Sequence, residues 1–108
     1  MPKYLVEGRY TSEGLKGLAR EGSSRRRAYI EKLIEKAGGK LETHYFAFGD
    51  ADFYIIYDAP DNVSAAALSV VANQSGFVTS KIVTLLTADD MDQAIRKSAT
   101  IEFRPPGH

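Results

Sequence analysis

The stretch KLETHYFAFGDADFYIIYDAPDN, residues 40–62, decides the fold of this chain. It contains two runs rich in aromatic and β-branched residues, Lys40–Phe48 and Asp52–Asp58, and this composition is typical of β-strands. Only residues 49–51 separate the two runs, so the strands are expected to pair as an antiparallel hairpin. Pro60 has no amide hydrogen to donate, and it therefore ends the second strand.

The rest of the chain predicts two further strands and a set of helices. Alternating apolar residues and β-branched side chains indicate strands at Lys3–Tyr10 and Phe77–Leu86. Helical spacing, capping residues and glycine stops indicate the other elements. They are a short helix or structured loop at 11–24, a helix from Ser23 or Ser24 to Ala37, a helix at 63–75 capped by Asp61 or Asn62, and a closing helix at 88–97 capped by Thr87.

The predicted order of elements is β-α-β-β-α-β-α, without an internal repeat or linker. The simplest arrangement is an α+β fold of the split βαβ type, with a four-stranded antiparallel sheet and helices on one face. Right-handed crossovers then give the strand order 4-1-3-2. We expect one domain over residues 1–108, in which residues 98–108 form an extended tail because two prolines exclude a helix there.

Composition narrows the class of protein. The chain has 108 residues and is 44% hydrophobic, enough for one core. Its 14 basic residues balance 14 acidic ones, so no overall field attracts nucleic acid or an anionic membrane. Cysteine is absent, which excludes disulfides and thiolate chemistry. With no segment typical of a signal peptide or a membrane span, we expect a cytoplasmic protein.

The second face of the predicted sheet carries apolar surface as well. Along the strand at Lys40–Phe48, regular alternation places Glu42, His44, Phe46 and Phe48 on one face, and Leu41, Thr43, Tyr45 and Ala47 on the other. A sheet face of this kind usually marks a subunit interface or a ligand groove. We therefore expect a homo-oligomer, a dimer or larger, that holds a small organic ligand at the open face.

Segments along nearly the whole chain resemble the GYD-domain proteins, a bacterial family named for a Gly-Tyr-Asp signature after its second strand. Gly49 and Asp52 match this signature, whereas Ala51 stands where the tyrosine is expected. If that tyrosine has a chemical role in relatives, it is lost here or replaced, for example by Tyr54. The matching segments are YTSEGLKGL at 10–18, AYIEKLIEKAGGKLE at 28–42, YFAFGDADFY at 45–54, APDNVSAAAL at 59–68, VTLLTADDMDQA at 83–94 and RPPG at 104–107.

The resemblance implies a ferredoxin-like fold of the kind found in dimeric α+β barrel proteins. That group includes isomerases, decarboxylases, cofactor-free monooxygenases and plain ligand binders. Because one fold supports many functions, the resemblance predicts the fold more firmly than it predicts a mechanism.

His44 is the candidate acid/base residue, because it is the one internal histidine and imidazole titrates near neutral pH. With a three-residue hairpin loop, His44 lies opposite Ile56. Glu7, Asp52 or Tyr54 could then orient it from the same sheet face, and Tyr54 could donate a hydrogen bond to a substrate oxygen. The alternative is a structural or exposed histidine, and a register shift of one residue would move the third strand to the other face.

Other side chains are candidate ligand contacts. Glu7 and Arg9 share a face of the central first strand, where charges line either a wet cavity or open solvent. We predict that Arg9, Phe46 and Phe48 contact the ligand. The arginine run 25–27 opens a helix, where it forms either an anion site or, more commonly, a solvated surface.

We expect neither a metal nor a cofactor. One internal histidine and no cysteine give a poor ligand set. No glycine-rich phosphate loop or catalytic triad is present.

Two functions fit these observations. The first is a small-molecule-binding domain with its site at the open sheet face, where His44 could carry out cofactor-independent proton transfer. The second is a non-catalytic regulatory or assembly module whose sheet face is only a subunit interface.

Overall fold

The computed structural model describes residues 1–108 and divides them into four strands and four helices. The order of the strands and of the three predicted helices is confirmed, and the segment predicted as either a short helix or a loop is a helix, so two helices separate the first two strands. In chain order the elements are β1 (Lys3–Tyr10), α1 (Ser12–Glu21), α2 (Ser23–Lys36), β2 (Lys40–Phe46), β3 (Phe53–Asp58), α3 (Asn62–Gln74), β4 (Val78–Leu85) and α4 (Ala88–Ser98).

The four strands form one antiparallel sheet in the order β2-β3-β1-β4, as predicted. Helices α1, α2 and α3 cover one face of this sheet, with α2 against β2 and α3 against β4. The buried core lies between these layers, and its most completely buried large side chain is Tyr57. The opposite face of the sheet has no helix of its own chain over it and is called the open face below.

Side-chain caps begin three of the four helices. Thr11 caps α1, Asp61 caps α3, and Thr87 forms a capping box with Asp90 at the start of α4. The prediction that Ser23 or Ser24 caps α2 is wrong. Gly22 occupies that position with a φ of 92° and offers no side-chain bond, because this single residue joins α2 directly to α1.

The hairpin register differs from the predicted one by one residue. His44 pairs with Ile55, and Tyr45 pairs with Tyr54. The amide of Ala47 donates to the carbonyl oxygen of Asp52 at 2.7 Å, so the connecting loop contains four residues instead of three. Because side chains alternate along a strand, this shift moves His44 to the helix-covered face of the sheet.

A β-bulge in β2 also changes which side chains share a face. Leu41 pairs with Tyr57 and Thr43 pairs with Ile56, so Glu42 is the extra residue between them. Leu41 and His44 are both buried on the helix side. The predicted regular alternation, which placed them on opposite faces, is therefore wrong.

Helix α4 extends away from the rest of the chain. None of its residues is buried, and the molecule measures 57 × 32 × 22 Å. Its apolar side chains Met91 and Ile95 are 50% and 56% exposed. None of the four helices combines the length and the apolar character needed to cross a membrane.

Candidate ligand site between the sheet and the helices

A cavity of about 480 Å³ lies between the sheet and helices α1, α2 and α3, and its volume is in the range of small-molecule sites. One row of paired residues, His44–Ile55–Val6–Ile82, crosses all four strands and forms part of the floor. Most of the lining is apolar, with walls that include Leu18 of α1, Ile30, Leu33 and Ile34 of α2, and Leu68 and Ala72 of α3.

Two residues of the floor carry polar atoms that have no hydrogen-bond partner. They are Nδ1 and Nε2 of His44 and the hydroxyl oxygen of Tyr57, and all three atoms are shielded from solvent. His44 is 8% exposed and Tyr57 is 2% exposed. Nearly all buried polar atoms in folded proteins are hydrogen-bonded, and each unpaired one costs roughly 1–3 kcal/mol. Both residues line the cavity, so a bound polar group that reached these atoms would remove this cost.

His44 is uncharged at neutral pH. Burial, with smaller contributions from the positive charges of Arg27 and Arg26, lowers the pKa of its imidazole to about 4. A neutral imidazole offers one N–H donor and one nitrogen acceptor. His44 can thus exchange hydrogen bonds with a ligand hydroxyl or carbonyl, but it is a weak base.

Tyr57 also keeps its proton. Burial raises the pKa of its hydroxyl to about 12, with a smaller contribution from Tyr4. The two rings stack with centroids 5.5 Å apart, and the Tyr4 hydroxyl donates to Oδ1 of Asn62 at 2.5 Å. The Tyr57 hydroxyl lacks such a partner, so it can both donate to a ligand and accept from one.

Aromatic neighbours hold the imidazole in place. The ring of Phe46 lies 4.7 Å from the ring of His44, centroid to centroid, and the ring of Phe53 lies 6.3 Å away at an edge-on angle. These contacts fix the orientation of the histidine by packing, in the absence of a hydrogen-bonding carboxylate.

The charged lining residues are Arg20, Glu21 and Arg26, at the junction of α1 and α2. Arg20 is exposed, and the side chains of Glu21 and Arg26 are 36% and 30% exposed. Nη1 of Arg26 lies 3.8 Å from Oε1 of Glu21, and its guanidinium lies 5.1 Å from the ring centroid of Tyr29. An exposed pair at this distance is weak, so Arg26 is available to another anion.

The other predicted site residues lie elsewhere. Glu7 pairs with Tyr54 on the open face, where these two residues and Arg9 line a polar groove of about 490 Å³ together with Asp50 and Lys81. The expectation that His44 shares a face with Glu7 and Tyr54 is wrong, because the register differs by one residue. No predicted carboxylate or phenol from the open face can orient the imidazole through the sheet.

Asp52 and Phe48 also lie outside the cavity. The carboxylate of Asp52 accepts from the backbone amide of Tyr10 at 2.8 Å, and its own amide donates to the carbonyl of Gly8 at 2.7 Å. Asp52 thus anchors the hairpin loop to β1. Phe48 is fully exposed in that loop and lines neither the cavity nor the groove.

Tyr57 was not predicted as a site residue, whereas the arginine run 25–27 was predicted to form either an anion site or a solvated surface, and its member Arg26 lines the cavity. Tyr57 belongs to the buried core. A tyrosine in a buried strand nevertheless has a hydroxyl that needs a hydrogen-bond partner. This requirement could have marked Tyr57 as a candidate binding residue. No group of three or more His, Cys, Asp and Glu side chains lies together in a geometry that could hold a metal ion.

The sheet order and the one-sided helix layer define a ferredoxin-like α+β domain. A family model described as GYD domain matches residues 4–95. The chain therefore belongs to the GYD domain family. No curated protein matches the chain. Ala51, which stands at the signature's tyrosine position, is 7% exposed and lines the polar groove of the open face.

Proposed function

We propose that this protein is a small-molecule-binding domain whose ligand occupies the cavity between the sheet and the helices. One observation supports this most directly: three shielded polar atoms of His44 and Tyr57 lack partners beside a cavity of about 480 Å³. A ligand with a polar group at its inner end would pair these atoms and remove their desolvation cost. The site lies on the helix side, not on the open face where it was first expected.

The proposed roles of the two residues are binding roles. His44, neutral at pH 7, would donate to and accept from the ligand, and Tyr57 would do the same through its hydroxyl. A proton-transfer mechanism with Glu7, Asp52 or Tyr54 as the partner of His44 receives no support from the geometry, because none of the three lines the cavity.

Filling the cavity from α1 tests the proposal. Gly17 lines the cavity, and a Cβ added there would meet no atom within 4 Å. Gly17→Leu is expected to place a side chain in the cavity and to raise the melting temperature, since leucine also favours a helix over glycine. Binding of the neutral fluorescent probe N-phenyl-1-naphthylamine should be lost in this variant.

Ala19→Leu is the control, because Ala19 is an exposed residue of the same helix that does not line the cavity. It should bind the probe as the unchanged protein does. If Gly17→Leu still binds the probe normally, or if the unchanged protein does not bind it, the cavity is not the ligand site.

A second proposed function is self-assembly, and helix α4 supports it. This helix has a complete capping box but buries no residue in its own chain. The open face likewise presents an apolar row, Ile56–Leu5–Val83, across three strands. A second copy of the chain would offer apolar cover of matching kind, and the net charge of zero imposes no repulsion between copies. We therefore propose a homo-oligomer, a dimer or larger.

A further inference from the structure

The cavity lining has a net positive charge, and its charged residues lie at the junction of α1 and α2. Arg20, Glu21 and Arg26 are the charged residues of the lining, so two guanidinium groups stand beside one carboxylate at the exposed rim. The remaining lining is apolar or neutral, since His44 and Tyr57 carry no charge at pH 7. A neutral ligand would leave this net charge of about one unit uncompensated, whereas a monoanion would balance it.

The start of α2 strengthens the positive potential at the same rim. The first turn of this 14-residue helix contains no acidic residue, and no side chain caps its amides. Helix N-termini and arginines both favour anions. The one carboxylate among the lining residues, that of Glu21, lies 3.8 Å from Arg26 and forms only a loose pair with it.

The part of the lining formed by His44 and Tyr57 has different chemistry. His44 and Tyr57 are uncharged and pack mainly against aromatic and aliphatic side chains, with the charges of Arg27 and Arg26 near enough to lower the pKa of His44. An ionised group would be costly there, while a hydroxyl or a carbonyl could pair with the unpaired atoms. The charged and the uncharged parts of the lining therefore favour two different polar groups.

We propose that the ligand is an organic monoanion with a largely apolar body. Its acid group binds at the rim beside Arg20 and Arg26, and a hydroxyl or carbonyl reaches His44 and Tyr57. This inference rests on the proposed function, because it assigns a chemical class to the ligand of that same cavity.

Two probes that share one apolar body separate the inference from the proposed function. N-phenyl-1-naphthylamine is neutral, and 8-anilinonaphthalene-1-sulfonate carries one negative charge on the same ring system. Arg26→Gln should weaken binding of the sulfonate about fivefold in Kd and leave the Kd of the neutral probe within about twofold, the effect of one partly exposed charge pair. Glu21→Gln should strengthen binding of the sulfonate, because it removes the competing carboxylate.

Arg25→Gln is the matched control, since Arg25 is exposed and does not line the cavity. It should change neither Kd. If both probes bind and both are excluded by Gly17→Leu, but Arg26→Gln affects them equally or not at all, the charge assignment is wrong and the proposed function stands. If Gly17→Leu excludes neither probe, both proposals fail. Sulfonate binding that Gly17→Leu does not reduce would place the anion site outside the cavity and overturn the inference.

Discussion

At the scale of single residues, His44 shows how one shift in pairing changes chemistry. On the open face it would be a hydrated imidazole with an ordinary pKa. On the helix face it packs against Phe46 and Phe53, and burial lowers its pKa to about 4. The same side chain thereby changes from a candidate proton-transfer group into a neutral hydrogen-bonding group.

This pKa predicts how stability depends on pH. The unfolded chain binds a proton at His44 with a pKa near 6.5, whereas the folded protein binds it only near pH 4. Protonation therefore favours the unfolded state, and the free energy of unfolding should fall by roughly 3 kcal/mol at most as pH decreases from 6.5 to 4. Above pH 6.5 His44 should contribute no pH dependence.

Denaturant unfolding at a series of pH values measures this effect. His44→Gln should flatten the curve between pH 6.5 and 4, while carboxylates continue to titrate in both proteins. His108→Gln is the control, since His108 is the exposed last residue and should leave the curve unchanged. Equal slopes for the unchanged protein and His44→Gln would show that His44 is not held neutral by burial.

At the scale of elements, helix α1 contains two glycines with opposite roles. A Cβ at Gly14 would lie 1.9 Å from the carbonyl oxygen of Phe77, because α1 packs directly on the backbone that enters β4. A Cβ at Gly17 would meet no atom within 4 Å. At Gly14 helix α1 is therefore in contact with the backbone that enters β4, and one turn later, at Gly17, it borders the cavity.

The same substitution should thus act in opposite directions at the two positions. Gly14→Ala is expected to lower the free energy of unfolding by about 2 kcal/mol, because α1 has to move away from Phe77. Gly17→Ala is expected to raise it by up to about 1 kcal/mol through helix propensity alone. Urea unfolding of the two variants measures both changes, and a destabilised Gly17→Ala would mean that the space beside α1 is filled.

The strands and helices could be predicted from the sequence, whereas the pairing register of the hairpin could not. Local signals mark the limits of the strands and helices: the alternation in Lys3–Tyr10, the proline at 60 and the capping residues Asp61 and Thr87. Once these limits are known, the handedness of the crossovers gives the order of the strands in the sheet. The register of the hairpin depends on whether its loop has three or four residues. The hydrogen bond from the amide of Ala47 to the carbonyl oxygen of Asp52 makes it four. No local pattern reports that bond. The predicted grouping of His44 with the open-face residues failed for this reason.

At the scale of the whole molecule, helix α4 is the element whose apolar side chains have no cover within the chain. Its sequence predicts a helix, and the helix is present, but local patterns carry no information about what covers its apolar side chains. The rest of the chain does not bury them. If a second copy covers this helix, its apolar side chains should be needed for assembly and not for folding of the monomer.

Ile95→Lys tests this expectation. A lysine in an assembled apolar interface would be desolvated without a partner, so the variant should shift to the monomer in sedimentation velocity while its far-UV circular dichroism is retained. Gln93→Lys places the same charge on the same exposed helix, where it lies four residues after Asp89, and should assemble normally. A monomeric unchanged protein, or equal assembly of both variants, would contradict self-association through α4.

The bulge at Glu42 bears on how the length of this chain can vary. Leu41 and Thr43 pair with consecutive residues of β3, so Glu42 occupies no place in the ladder. Removing it would bring Leu41 and His44 into ordinary alternation, two positions apart, without turning either away from the helices. A deletion one step further along, within Thr43–Phe46, would reverse every side chain on one side of the gap. In a lineage of related chains, position 42 is thus a point at which β2 can gain or lose one residue while the floor of the cavity keeps its composition.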